Sequence, residues 1–127
     1  VNRLAFFLAL AATAHAAPPE SFWRALHVVE TGGKRGPIIG DNGKALGPLQ
    51  IHRSYWQDAR VSGRYEDCAD LAYSIKVASS YLQRYAPKAW QAGDTMTLAR
   101  IHNGGPNGDK KPATLRYAEK VKRAAGK

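Results

Sequence analysis

Apolar residues recur at helical spacing in several stretches of this chain, and clusters of glycine and proline divide them. Phe22, Ala25, Leu26 and Val29 share one face of a helix that opens after Pro18-Pro19 and stops at Gly32-Gly33. Over residues 34–51 that period is lost, because Gly36, Pro37, Gly40, Gly43, Gly47 and Pro48 break any helix. Ile38-Ile39 and Leu49–Ile51 read as short strands with Asp41-Asn42-Gly43 as the turn signal between them. This predicts a small, irregular β-hairpin with Asp41 at or beside its turn. Ser54, with Gln57 three residues on, has capping-box spacing and predicts a short helix to about Val61. The longest helix is expected from about Glu66 to Ala86, with Leu71, Ile75, Ala78, Leu82 and Tyr85 as its buried stripe. Glu66, Asp67 and Asp70 suit its electropositive start, and Pro87 ends it. Asp94 caps a further helix carrying Leu98 and Ile101, which stops at Asn103-Gly104-Gly105. Pro112 suits the first turn of a last helix, with Leu115, Ala118 and Val121 facing in. The expected class is α+β, mostly helical, with a small β-hairpin after the first helix.

The chain's 127 residues suit one domain with one core, and 44% hydrophobic content excludes a disordered tail. The start has the order of a signal peptide: Arg3, an apolar run from Leu4 to Ala12, then Ala14-His15-Ala16 as a small-x-small cleavage site. The bland alternative is a buried N-terminal helix. The run falls short of the roughly 18 apolar residues of a membrane span. The expected division is therefore residues 1–16 as signal peptide and 17–127 as the domain, in a secreted or periplasmic protein. Cys68 stands alone, so no internal disulfide can form, and it reads as a buried small apolar residue. A bare cysteine does not establish a nucleophile.

The net charge is +9, with Lys110, Lys111, Arg116, Lys120, Lys122, Arg123 and Lys127 clustered near the C-terminus. Such a cluster is either a solvated helix face or a patch for polyanions. An exported protein seldom meets nucleic acid, and no groove-reading motif is visible, which leaves anionic cell-wall polymers as the expected partner. No phosphate loop or dinucleotide fingerprint occurs, and no His/Cys/Asp cluster has metal-ligand spacing, so neither metal nor other cofactor is expected.

Four features carry candidate chemistry. Glu30 falls in the last turn of the first helix, near the negative end of the helix dipole, a setting that suits a proton donor. On position alone it reads as an ordinary exposed Glu. Asp41 lies 11 residues on, and two carboxyl groups flanking a scissile bond are the usual equipment of glycosidases. Alone, it reads as a turn residue. Gln50, on an apolar and glycine-flanked stretch, is placed either to bond a sugar or to face water at a strand edge. The loop His102-Asn103-Gly104-Gly105-Pro106-Asn107-Gly108 is rich in backbone donors and acceptors that fit acetamido and hydroxyl groups. Its plainer reading is a long helix-ending turn with His102 in the core.

In order, Glu30-x-Gly-Gly, Asp41, Gly47-Pro48-Leu49-Gln50-Ile51, Tyr55-Trp56 and Ala99–Gly108 closely resemble the invertebrate-type lysozymes, which include the leech destabilases. The resemblance covers about residues 21 to 123, and His-Asn-Gly-Gly-Pro-Asn-Gly is its most specific part. It implies a lysozyme-like fold that cleaves the β-1,4 bond between N-acetylmuramic acid and N-acetylglucosamine in bacterial peptidoglycan. Glu30 matches the family's general acid and Asp41 its second carboxylate, as nucleophile or stabiliser. Gln50, Tyr85, His102 and Asn103 fall where such folds line the sugar cleft, and the Asn103-Gly104 backbone is expected to contact the glycan. The chain departs from the family's animal members in having one cysteine and a short Glu30-to-Gly47 spacing, which points to a trimmed hairpin and a bacterial relative.

The competing readings are a lytic transglycosylase that uses Glu30 alone, an isopeptidase built on His102 and Ser54, Ser79 or Ser80, and a non-catalytic wall-binding module. No nucleophile signature supports the isopeptidase, and the presence of Glu30 argues against a mere binding module. The export reading has a direct check: N-terminal sequencing of exported protein is expected to begin at Ala17, and a start at residue 1 or 2 would refute it.

Overall fold

The computed structural model describes residues 17–127, so the expected signal peptide lies outside the described residues. The first helix, α1 (Glu20–Thr31), buries Phe22, Ala25, Leu26 and His27. Gly32 ends it in the left-handed region (φ 67°), where glycine alone carries no steric penalty, and the N–H groups of Gly32 and Gly33 donate to the carbonyls of Val28 and His27.

The expected two-stranded hairpin is a three-stranded antiparallel sheet: β1 (Ile39–Gly40), β2 (Ala45–Leu46) and β3 (Ile51–His52), in that order. Ile39 pairs with Leu46 and Leu46 with Ile51. The Asp41-Asn42-Gly43 turn stands where expected, with all three residues at positive φ. The middle strand escaped the sequence reading because Ala45-Leu46 is too short to show a period. A second reversal, with Gly47 at φ 83° and Gln50 at φ 52°, then folds β3 back onto it.

Next come α2 (Arg53–Ala59), α3 (Leu71–Tyr85), α4 (Pro87–Ala92), α5 (Thr95–Gly104) and α6 (Ala113–Ala125). Three helix starts differ from expectation. Ser54 does not cap α2: the helix already runs at Arg53, after an extended His52, with no side-chain cap. Glu66 and Asp67 lie in a separate 3-10 turn (Tyr65–Ala69), and Asp70 begins α3 by accepting a hydrogen bond from the Tyr73 N–H at 2.9 Å. Pro87 both ends α3 and opens α4, an element the sequence reading omitted, because proline fits the first turn of a helix.

The core gathers Phe22, Leu26, Leu49, Ile51, Val77, Leu82, Leu98 and Ile101, with α6 packed against both α1 and α5. On α3 the fully buried stripe is Ser74, Val77, Ala78, Tyr81 and Leu82, while Leu71, Ile75 and Tyr85 are only half-buried. On α6, Leu115 is 44% exposed. Its expected place is taken by Thr114, in register with Ala118 and Val121. The Thr114 hydroxyl donates to the Gly108 carbonyl at 2.6 Å, so its burial leaves no polar group unpaired. Cys68 is buried as expected, and burial first, then Asp67 and Glu66, push its thiol up to about 12, which suits packing rather than nucleophilic chemistry.

The hairpin depends on close backbone approach at Gly47, where a β-carbon would overlap the Cys68 carbonyl oxygen. Gly47→Ala is therefore expected to destabilise the fold by at least about 2 kcal/mol, from positive φ and overpacking together. Urea unfolding measures this, and an unchanged midpoint would show that the hairpin relaxes freely.

Candidate active site

The end of α1, the sheet, α2, α3 and the α5 loop enclose one cleft of about 560 Å³, lined among others by Glu30, Asp41, Gln50, His52, Asp58 and His102. Glu30 reaches it from the last turn of α1, with its side chain 17% exposed. The next residue locks that turn to the sheet side: the Thr31 hydroxyl donates to the Pro48 carbonyl at 3.0 Å. The carboxyl is thus carried by a rigid helix rather than a loop.

Asp41 enters the cleft from the β1–β2 turn. It is exposed, and its Oδ2 lies 3.0 Å from the Nε2 of His52 on β3. The turn and the strand two places along the sheet thereby hold each other. Gln50 also lines the cleft, but its amide N–H groups donate back to the carbonyls of Ile38 (3.2 Å) and Gly47 (3.0 Å). Its side-chain oxygen sits where a β-carbon on Gly40 would stand. Gln50 therefore braces the sheet and gives a physical reason for glycine at position 40.

His102 is buried, its side chain 3% exposed, at the C-terminal end of α5. Its Nδ1 is 2.8 Å from the Tyr55 hydroxyl, and its Nε2 is 3.8 Å from Glu30 Oε2. The core-histidine reading is thus correct, yet the ring borders the cleft from behind the acid. Asn103 is exposed on the cleft rim, followed by Gly105 and Pro106. Gly104 points elsewhere: a β-carbon there would stand 2.6 Å from Thr114 Cγ2, against α6. Tyr85 is also outside this cleft. It lines a neighbouring cavity of about 310 Å³ with Pro87, Ile101 and Asn107, and only Pro106 borders both. One turn earlier on the helix, Tyr81 occupies the wall instead.

Tyr55, Tyr81, His52, Asp58 and Tyr117 were not singled out as site residues. Tyr55 and Tyr81 stack with ring centroids 3.6 Å apart and planes at 13°. Burial, then Tyr81, holds the Tyr55 phenol well above its ordinary value, so it stays a neutral donor. Tyr117, from α6, is half-buried with its hydroxyl buried beside Glu30, and burial, then the Glu30 charge and a close contact with the Glu30 side chain, raise its phenol well above the usual range. Its hydroxyl has no hydrogen-bond partner in proper geometry. The helical period does not separate such tyrosines from ordinary core residues. Among the described residues no group of three or more His, Cys, Asp or Glu is placed to hold a metal ion.

A family model described as Destabilase matches residues 24–124. The chain is 38% identical over 85 residues to a lysozyme of Ostrea edulis, covering 64% of this chain and 62% of that protein. It is 39% identical over 79 residues to a lysozyme of Magallana gigas, covering 61% and 58% respectively. The chain thus spans about three-fifths of the length of these curated relatives. The crystal structure of Tapes japonica lysozyme superposes with a TM-score of 0.72 at 32% identity, covering 84% of this chain and 93% of that one. Meretrix lusoria lysozyme, in complex with the Aeromonas hydrophila protein PliI, gives 0.71 at 26% identity, with 84% and 89% covered.

The geometry assigns Gly104 to packing against α6. Gly104→Val is expected to cost about 1–3 kcal/mol of stability, while the affinity for chito-oligosaccharides that the family resemblance leads one to expect is unchanged in the folded fraction. Calorimetric titration beside thermal unfolding separates the two, and lost affinity at unchanged stability would return Gly104 to the sugar site.

Proposed function

This chain belongs to the Destabilase family, and from that membership we propose that it is a muramidase, a glycoside hydrolase acting on the glycan strands of bacterial peptidoglycan. The observation that carries the reading is that Glu30, from a helix end, and Asp41, from a sheet turn, line one cleft. Relatives and structural neighbours named lysozyme support the activity.

In the proposed reaction the β-1,4 bond between N-acetylmuramic acid and N-acetylglucosamine lies across the cleft. Glu30 donates its proton to the glycosidic oxygen, and the bond to the anomeric carbon breaks with positive charge developing on the sugar. Asp41 stabilises that charge or attacks the carbon, and His52 keeps its carboxylate oriented. Asn103 and the loop after it offer polar groups at the cleft rim to acetamido and hydroxyl substituents. The cleft's open, polar lining suits a hydrated polysaccharide rather than an apolar ligand. We place the protein outside the cytoplasm, secreted or periplasmic, on the order of charge, apolar run and cleavage site in residues 1–16. Its basic face, where Arg24, Lys120, Arg123 and Lys127 border one depression, suits association with anionic wall polymers.

A second reading rests on Asp41 itself. It is exposed at the tip of a turn and engaged by His52, so a lytic transglycosylase using Glu30 alone is the rival. Peptidoglycan turbidity assays with mass spectrometry of the products decide between them. Glu30→Gln, which keeps shape but has no proton to give, is expected to lower turnover by a factor of about 10² to 10⁴. For a hydrolase, Asp41→Asn also lowers turnover strongly, and wild-type products carry free reducing ends. Products dominated by 1,6-anhydromuramic acid, with an active Asp41→Asn variant, establish the transglycosylase. Activity of Glu30→Gln within a few-fold of wild type refutes both.

A further inference from the structure

Two polar groups with buried ends stand beside Glu30 without a hydrogen bond of proper geometry to it. His102 Nε2 is 3.8 Å from Oε2, beyond hydrogen-bond range. The Tyr117 hydroxyl is buried next to the same carboxyl and is the one such side-chain atom without a partner among the described residues. Buried polar groups are normally satisfied, and leaving a hydroxyl unpaired costs about 1–3 kcal/mol. A cost of that kind persists where the group has work in another state of the molecule.

We propose that His102 and Tyr117 are positioning residues for Glu30, a pair of neutral donors that close onto its carboxylate as the proton leaves. The inference rests on Glu30 being the general acid. In the step itself the Glu30 O–H bond breaks and the proton passes to the glycosidic oxygen. The electron pair of that bond stays on the carboxylate. Neither Tyr117 nor His102 gives up a proton. Tyr55 fixes the histidine in this proposal: its hydroxyl, kept neutral by burial, lies 2.8 Å from Nδ1, and where it donates there the ring proton stands on Nε2, facing Glu30. The Tyr55 ring is in turn clamped on Tyr81. His102 Nε2 sits just outside bonding distance of the resting acid, and the Tyr117 hydroxyl stands beside it out of hydrogen-bond geometry, so in this proposal both hydrogen bonds strengthen as negative charge develops. Interactions of that kind raise kcat rather than tighten substrate binding.

The ionisable groups around Glu30 are His102 from α5, Tyr117 from α6, Tyr55 from α2 and Tyr81 from α3, with Asp41, His52 and Asp58 elsewhere in the cleft lining. Only His102 and Tyr117 combine burial with a donor beside the Glu30 carboxyl.

Tyr117→Phe removes one oxygen and is expected to leave stability unchanged or higher, since that oxygen has no partner to lose. It should lower kcat about tenfold, in keeping with a hydrogen bond to a charged group, with KM within twofold. The alkaline limb of the kcat profile should move to higher pH, because the carboxylate has lost a donor. His102→Gln, which keeps an N–H donor, should retain more activity than His102→Leu. Wild-type kcat and an unmoved pH profile in Tyr117→Phe would overturn the proposal, as would an effect confined to KM. Titration of the Glu30 side-chain carbon by NMR tests the same pair without any substrate. A higher midpoint in Tyr117→Phe than in wild type supports positioning even if the wall assay finds no lytic activity. An unmoved midpoint refutes it whatever the assay shows.

Discussion

A single carboxyl, held at the end of a helix and largely out of water, is the constraint around which this small domain is arranged. Glu30 stays in place because α1 terminates two residues later in a left-handed Gly32, and because Thr31 ties that turn to the Pro48 carbonyl. Helices α5 and α6 then close over Glu30 from behind with His102 and Tyr117, polar groups that make burial of a carboxyl tolerable without committing it to a salt bridge with Lys or Arg. A fixed cation at that place would favour the ionised form and work against proton donation.

The opposite side of the cleft is built on different principles. The sheet is only two residues deep in each strand, too small to be stable by its ladder alone. Side-chain braces compensate: Gln50 bonds two carbonyls across the turn, His52 holds Asp41, and Tyr65 donates to the Ile51 carbonyl at 2.6 Å. The first of these works only because glycine at 40 leaves room for the Gln50 side-chain oxygen, and glycine at 47 likewise admits the Cys68 carbonyl. The result is one rigid, half-buried carboxyl and one exposed carboxyl on a braced turn. Two acids of such different surroundings are what a division of labour between proton donor and charge stabiliser requires.

How much of this was legible in the sequence follows from the range of each signal. The helix faces of Phe22, Ala25 and Leu26, and of Ala118 and Val121, are local periodic patterns, and they were read correctly. So were the stops at Gly32 and Gly105 and the Asp41 turn, since glycine and Asx signals act within a residue or two. Helix starts were displaced where two caps competed, as at Asp70 against Glu66. Leu115 and Tyr85 were placed inward by apolar character, but a 100° step per residue leaves room for Thr114 and Tyr81 to take the core face instead. The order of motifs found Glu30, Asp41, Gln50, His102 and Asn103 of the cleft lining, but it placed Tyr85 and Gly104 there as well and passed over His52, Asp58 and Tyr81. That Gln50 braces and His102 backs the acid depends on contacts between segments 12 to 72 positions apart, which no window along the chain contains.

The absence of disulfides among the described residues sharpens the question of what keeps the cleft's two sides in register. Cys68 is buried with no partner, so no covalent tie joins the sheet to the helices. Packing and hydrogen bonds must do this alone, and they converge on α2. Its Tyr55 stacks on α3 and bonds the α5 histidine, while the Trp56 indole N–H donates to the Tyr73 hydroxyl at 3.0 Å. The helix begins directly after β3, so the strand carrying His52 continues without a loop into the element that orients His102. Asp41 and Glu30 are thereby coupled through one short segment, residues 50–56, in which Gln50 and His52 serve the sheet and Tyr55 holds the histidine beside Glu30. A loosened α2 would then move both carboxyl groups at once, which explains why so small a helix carries two large aromatic residues on adjacent positions.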